Sequence, residues 1–191
     1  MLQMKIGAIL ISFLPLILVA CGGKLYKVAP LPSAPPEIST NNAGGLNIGA
    51  AALDGQQSYE RFEANLPLAG VIAVDVKMIN TSDVTVPVRS LRFDLRDGAG
   101  AQFKRLTPKN ALGEVMKYYG VNFYAKVAYR RTLEDYESVA LKQESAIESG
   151  GELRGIVFFQ TKRETASVDG LILSVAGLTT PVNLELHTAR K

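Results

Sequence analysis

The chain has 191 residues, a formal charge of +3, one histidine, one cysteine and no tryptophan. A single thiol excludes an internal disulfide, so packing alone must hold the fold. So small a net charge argues neither for nucleic acid nor for any strongly charged partner. The length suits one domain with one core and some additional chain.

The N-terminus carries Lys5, then an apolar run over residues 6–19 that closes on Leu18-Val19-Ala20-Cys21. Fourteen residues are too few to span a bilayer comfortably. With the basic start and small residues before Cys21, the run predicts a secretory signal over residues 1–20. Leu18-Val19-Ala20-Cys21 resembles the lipobox of bacterial lipoproteins. The resemblance implies that the Cys21 thiol receives a diacylglycerol, that the signal is cut before it and that the new amine is acylated. Because Gly22 rather than Asp follows the cysteine, it also implies sorting to the outer membrane. Each buried methylene contributes about 0.8 kcal/mol, so two or three long chains make such an anchor effectively permanent.

Residues 21–45 hold Pro30, Pro32, Pro35 and Pro36 followed by Ser39-Thr40-Asn41-Asn42-Ala43-Gly44-Gly45. Proline extends the first half and Asn/Gly loosens the second, which predicts a tether that leashes the domain on the order of tens of Å from the headgroups. The alternative is that part of this segment packs along the domain as an edge strand.

The domain is expected over residues 46–191, where the period is two more often than 3.6. After an opening strand near residues 46–53, residues 71–80 place Ile72, Val74, Val76 and Met78 on one face and Asp75 and Lys77 on the other, the alternation of a strand with one buried side. In residues 89–96, Leu91, Phe93 and Leu95 oppose Arg92, Asp94 and Arg96, and Asp97-Gly98-Ala99-Gly100 leads as a hairpin loop into residues 102–106. Val86 and Val88 are out of phase, which predicts a bulge near residues 88–90, with Pro87 at an edge or strand start. Further strands follow at residues 153–161, apolar on both faces at Ile156-Val157-Phe158-Phe159, at residues 171–176 and at residues 182–186. Seven or eight short strands punctuated by turns predict a mainly β fold, an antiparallel sandwich.

Between the strands lies an insert near residues 107–140. Thr107-Pro108 reads as a cap with proline at the first helical position, and Ala111, Leu112, Val115, Met116 and Tyr119 share one helical stripe. A second helix start is expected at Thr132-Leu133-Glu134-Asp135, although residues 139–147 would serve equally as a strand. Such an insert either plugs the open end of the sandwich or presents a surface to a partner. Its charge is divided: residues 104–131 hold seven bases against Glu114, and residues 132–152 hold six acids against Lys142. The two halves are expected to fold near one another and compensate. In the alternative, Lys117, Tyr118, Tyr124, Lys126, Tyr129, Arg130 and Arg131 form a contact set for a partner or for a polyanion, since aromatic residues beside bases suit a contact surface.

Catalytic chemistry finds little support. His187 stands four residues from the C-terminus, no His/Cys cluster suits zinc, no Asp-rich loop suits calcium and no glycine loop leads into a helix. No metal, cofactor or enzymatic activity is therefore expected.

Gly70-Val71-Ile72-Ala73-Val74, Leu91-Arg92-Phe93-Asp94-Leu95-Arg96-Asp97 and Glu148-Ser149-Gly150-Gly151-Glu152 leading into Gly155-Ile156-Val157-Phe158-Phe159 resemble the immunoglobulin-like sandwiches of bacterial secreted proteins and lipoproteins. The chain departs from antibody-type domains in having neither tryptophan nor a disulfide pair. Its architecture also resembles the lipoprotein subunits of secretion machines, which are small tethered sandwiches with an inserted helix. The expected function is a membrane-anchored, non-catalytic envelope module that contacts another envelope protein. The alternative is a binding module for an anionic glycan or lipid headgroup.

Overall fold

The computed structural model describes residues 23–32, 39–121, 126–161 and 168–187. Its strands are β1 (Ser39–Ala43), β2 (Leu46–Ala52), β3 (Val71–Asn80), β4 (Val86–Pro87), β5 (Arg92–Arg96), β6 (Gln102–Leu106), β7 (Ala146–Ile147), β8 (Glu152–Gln160), β9 (Leu171–Ala176) and β10 (Val182–Leu186). The helices are α1 (Gly55–Phe62), α2 (Pro108–Tyr118) and α3 (Lys126–Val139). Eight strands form one antiparallel sheet in the order β1-β2-β3-β8-β6-β5-β9-β10, while β4 and β7 pair separately. The last strand, β10, returns alongside β1 and β2, so the sheet is nearly closed into a barrel.

The expected immunoglobulin-like two-sheet sandwich is thus incorrect. The reason lies in β6, whose Lys104, Arg105 and Leu106 pair with Gln160, Phe159 and Phe158 of β8 while Gln102 and Phe103 pair with Arg96 and Leu95 of β5. One short strand shared in this way joins what would be two facing sheets into one. Period-two alternation reports that a strand buries one face, and it is the same in a sandwich and in a curved sheet closing on itself.

The barrel interior collects the alternating apolar residues: Ile48 and Ala50 of β2, Ile72, Val74, Val76 and Met78 of β3, Phe93 and Leu95 of β5, Val157 and Phe159 of β8, and the matching positions of β9 and β10. The expected bulge near Val88 is instead a 3₁₀ turn, Val88–Ser90, that separates β4 from β5 and buries Val88 and Leu91 against the same core.

A second core lies on the outer face of β3 and β8. Val71, Ala73, Ile156 and Phe158 point outward and are covered by Phe62 of α1, Leu66 of the following loop, Ala111, Leu112, Val115 and Met116 of α2, and Tyr136 and Val139 of α3. The two central strands are therefore buried on both faces, which is why Ile156-Val157-Phe158-Phe159 is apolar without interruption. The insert neither plugs the barrel end nor stands free; it caps this outer face. After α3 the chain passes close over β8. Leu141 donates its N–H to Ile156 O at 2.9 Å, and a Cβ on Gly155 would sit 2.5 Å from Leu141 Cα, so only glycine admits the crossing.

Candidate functional site

The insert is positioned by local rules. Thr107 accepts a hydrogen bond from Asn110 N at 3.2 Å, Pro108 occupies the first turn, and the four residues Ala111, Leu112, Val115 and Met116 turn to the core. Tyr119, expected on the same stripe, ends the helix 43 % exposed. Helix α3 already runs from Lys126, so Thr132 is not its cap. Thr132 is fully buried, and its Oγ1 accepts the N–H of Leu25 at 2.9 Å and that of Tyr26 at 3.5 Å.

Those two amides belong to a segment that composition assigned to a loose tether. Residues 23–32 lie strapped across the helices. Lys24 Nζ is 2.6 Å from Asp135 Oδ2, and the Tyr26 ring is buried with its centroid 6.2 Å from that of Tyr119. Lys27 N–H donates to Glu63 Oε2 at 3.1 Å and Ala29 N–H donates to Arg61 O at 2.7 Å. Farther on, Ser39–Ala43 forms β1, the outermost strand next to β2.

The far end of the strap meets a buried charge cluster. Arg154 Nε and Nη2 donate to Asp75 Oδ1 and Oδ2 at 2.9 and 2.6 Å, a bidentate pair with side chains 10 % and 2 % exposed. Arg154 Nη1 donates to Pro32 O, and Arg61 Nη1 donates to Pro30 O at 3.5 Å. Burial lowers the Arg61 pKa; the Asp75 carboxylate opposes that shift and Arg154 adds to it. Arg154 thus pairs with the carboxylate, Arg61 feels its charge at longer range, and both guanidinium groups donate to carbonyls of the strap. The alternation of β3 had placed Asp75 on an outward, solvated face, and the helices and strap cover it.

The predicted contact residues do not form one surface. Lys117 and Tyr118, the latter 41 % exposed, line a cleft of about 680 Å³ between α2, β6 and the end of β8, together with Gln102, Lys104, Glu114 and Gln160. Tyr129 is half-buried and lines a neighbouring cleft of about 310 Å³ with Lys109, Asn110 and Glu114. Arg130 and Arg131 are exposed on α3, with Arg130 Nε 3.9 Å from Glu134. Cys21, Tyr124 and the side chain of Lys126 lie outside the described residues. Another base of the run, Arg105, stacks its guanidinium 5.6 Å above the Phe93 ring, where burial lowers its pKa against the opposing pull of Asp94. Between the basic and acidic halves Arg130 and Glu134 form an ion pair, while Asp135 and Glu152 pair with Lys24 and with Lys77 at 2.8 Å, outside the basic run.

His187 is exposed at the end of β10. Among the described residues, no group of three or more His, Cys, Asp or Glu gathers as metal ligands would, and no helix is long and apolar enough to cross a membrane.

No protein-family model matches the chain, and no curated protein matches it. Among solved structures it is similar to the yjhA protein of Bacillus subtilis, at 11% identity and a TM-score of 0.42, over 85% of this chain and 100% of that one. It is also similar to a conserved hypothetical protein of Bacillus anthracis, at 10% identity and a TM-score of 0.41, over 80% of this chain and 94% of that one.

Proposed function

We propose that this protein is a lipid-anchored module of a bacterial envelope, held by acyl chains on Cys21, that acts by contact with another envelope protein and not by catalysis. The observation that carries the anchor is the apolar run over residues 6–19 closing on Leu18-Val19-Ala20-Cys21. Support for protein contact comes from the cleft beside α2, where Lys104 and Lys117 face Glu114 and the amides of Gln102 and Gln160 around an exposed Tyr118. A lining of both charge signs with neutral donors and acceptors suits a polypeptide better than a polyanion, which favours groups of one sign.

The test has two parts. Metabolic labelling with a fatty acid should mark the wild-type protein and not Cys21→Ser, and equal labelling of both removes the anchor. A photo-crosslinking side chain at Tyr118 should give one discrete adduct with an envelope protein in intact cells, weakened by Lys117→Glu. An adduct insensitive to Lys117→Glu, or none at all, removes the cleft as the contact.

A further inference from the structure

The two clefts beside α2 are one groove. Lys104, Glu114 and Gln160 line both, so the larger cleft, which reaches Leu68 and Gly70, runs on into the smaller one, which reaches Tyr129 of α3. Helix α2 forms one wall. Lys109, Gly113 and Lys117 line the groove at i, i+4 and i+8 along that helix, so they share one stripe and the two lysines stand about 12 Å apart at the helical rise. Gly113 is the member of the stripe that packing does not explain. It lies in the interior of α2, where glycine is the poorest helix former after proline. A close neighbour would account for it, but a Cβ on Gly113 would meet no atom within 4 Å. What the glycine leaves is a notch in the groove wall, midway between two lysines and open to the chain of a partner.

The charges of the groove select what enters it. Lys104, Lys109 and Lys117 are exposed and form no ion pair among the described residues. Against these three bases the groove sets a single acid, Glu114. The excess of bases attracts carboxylates, while Glu114 and the side-chain amides of Asn110 and Gln160 offer acceptors and donors to a main chain. An extended chain rises about 3.3 Å per residue, so the 12 Å between the lysines corresponds to about four residues, and side chains four apart leave the same face of a strand. Two acidic side chains at that spacing meet Lys109 and Lys117 together, and the side chain midway between them points into the notch.

We infer that the groove along α2 binds an extended acidic segment of the envelope partner, with two carboxylates four residues apart that pair with Lys109 and Lys117 while the chain between them crosses Gly113. This rests on the reading of the cleft as the contact with that partner.

The test selects a library of random octapeptides on the full-length protein and sorts the bound sequences by the spacing of their acids. Acids four apart should be enriched several-fold over acids two or three apart. Lys109→Glu with Lys117→Glu should abolish that enrichment. Gly113→Leu should abolish it as well, while melting at or above the wild-type temperature, because leucine is the better helix former and the space around the glycine is open. Acidic sequences enriched without regard to spacing, enrichment that survives Gly113→Leu, or no enrichment overturns the acidic segment. The crosslink from Tyr118 separates that failure from failure of the cleft itself. An envelope adduct weakened by Lys117→Glu, found together with no four-apart enrichment, leaves the cleft as the contact and removes only the segment assigned to it. An adduct that is absent or insensitive to Lys117→Glu removes the cleft contact, and the segment with it.

Discussion

Replacing Thr132 by valine isolates what holds the strap to the domain. Valine keeps the branched shape in a fully buried position, so packing on α3 changes little. What it removes is the acceptor for Leu25 N–H at 2.9 Å and the weaker one for Tyr26 N–H at 3.5 Å. A net hydrogen bond contributes about 1 kcal/mol, and a half-buried amide left without a partner adds to the loss, so the strap should be weakened by roughly 1–2 kcal/mol. That corresponds to a local opening about 5- to 30-fold more frequent. Native-state hydrogen exchange at Leu25 and Tyr26 should accelerate by this factor while amides of β9 and β10 change far less, because those strands pack only in the barrel core and the strap packs in the other. Tryptic cleavage after Lys24 and Lys27 should quicken in step. Thr132→Ser, which keeps the acceptor, should exchange close to wild type at both amides. Exchange at Leu25 that is the same in wild type, Thr132→Val and Thr132→Ser would refute the reasoning.

Three further outcomes follow from the two cores. Phe93→Ala empties a ring that is 1 % exposed inside the barrel, and chemical denaturation should show a loss of about 3–5 kcal/mol. Asp75→Ala strands Arg154 beneath the strap and should destabilise by about 3–5 kcal/mol, whereas the double change Asp75→Leu with Arg154→Met should recover much of that loss in the same measurement. Burial, then the neighbouring Tyr26 and Tyr119, raises the pKa of the Tyr136 phenol. An unfolded tyrosine ionises near pH 10. The folded state keeps a proton that the unfolded state releases above that pH, so stability is complete below about pH 10 and falls above it, by up to about 1.4 kcal/mol per pH unit from this group. Tyr136→Phe should flatten that fall in pH-dependent melting, and it removes a buried hydroxyl with no hydrogen-bond partner among the described residues.

The regular strands were legible because alternation is a local property. Phases read from β3 and β5 put the same side chains inside the barrel that the structure does. Closure was not legible, because it depends on β6 pairing two ways and on β10 returning to β1, and neither is written in any one strand. Some signals were present and pointed elsewhere. Uninterrupted apolar residues over 156–159 meant a covered outer face, and Asp54 with Gln57 is a capping box that opens α1, with Gln57 N–H donating to Asp54 Oδ1 at 2.8 Å. Thr132 had the composition of a cap, but only tertiary placement shows that its hydroxyl serves Leu25. The strap was hidden by its prolines: composition predicts an extended chain there, and an extended chain can dock as readily as it can float. Asp75 obeyed the strand alternation and was read as solvated because its partner, Arg154, is 79 residues away in sequence. The candidate contact residues formed one cluster in sequence, but α2 and α3 distribute them over a cleft, its neighbour and an exposed helix face.

If Cys21 carries the proposed acyl chains, the docked strap over residues 23–32, and not a free leash, joins them to the domain. Neutron reflectometry of the lipidated protein on a supported anionic bilayer measures this directly. A strap fixed at Lys24 predicts protein density that begins at the headgroups with no water layer between. A hydrated gap on the order of tens of Å, the reach of a free proline-rich tether, would contradict it.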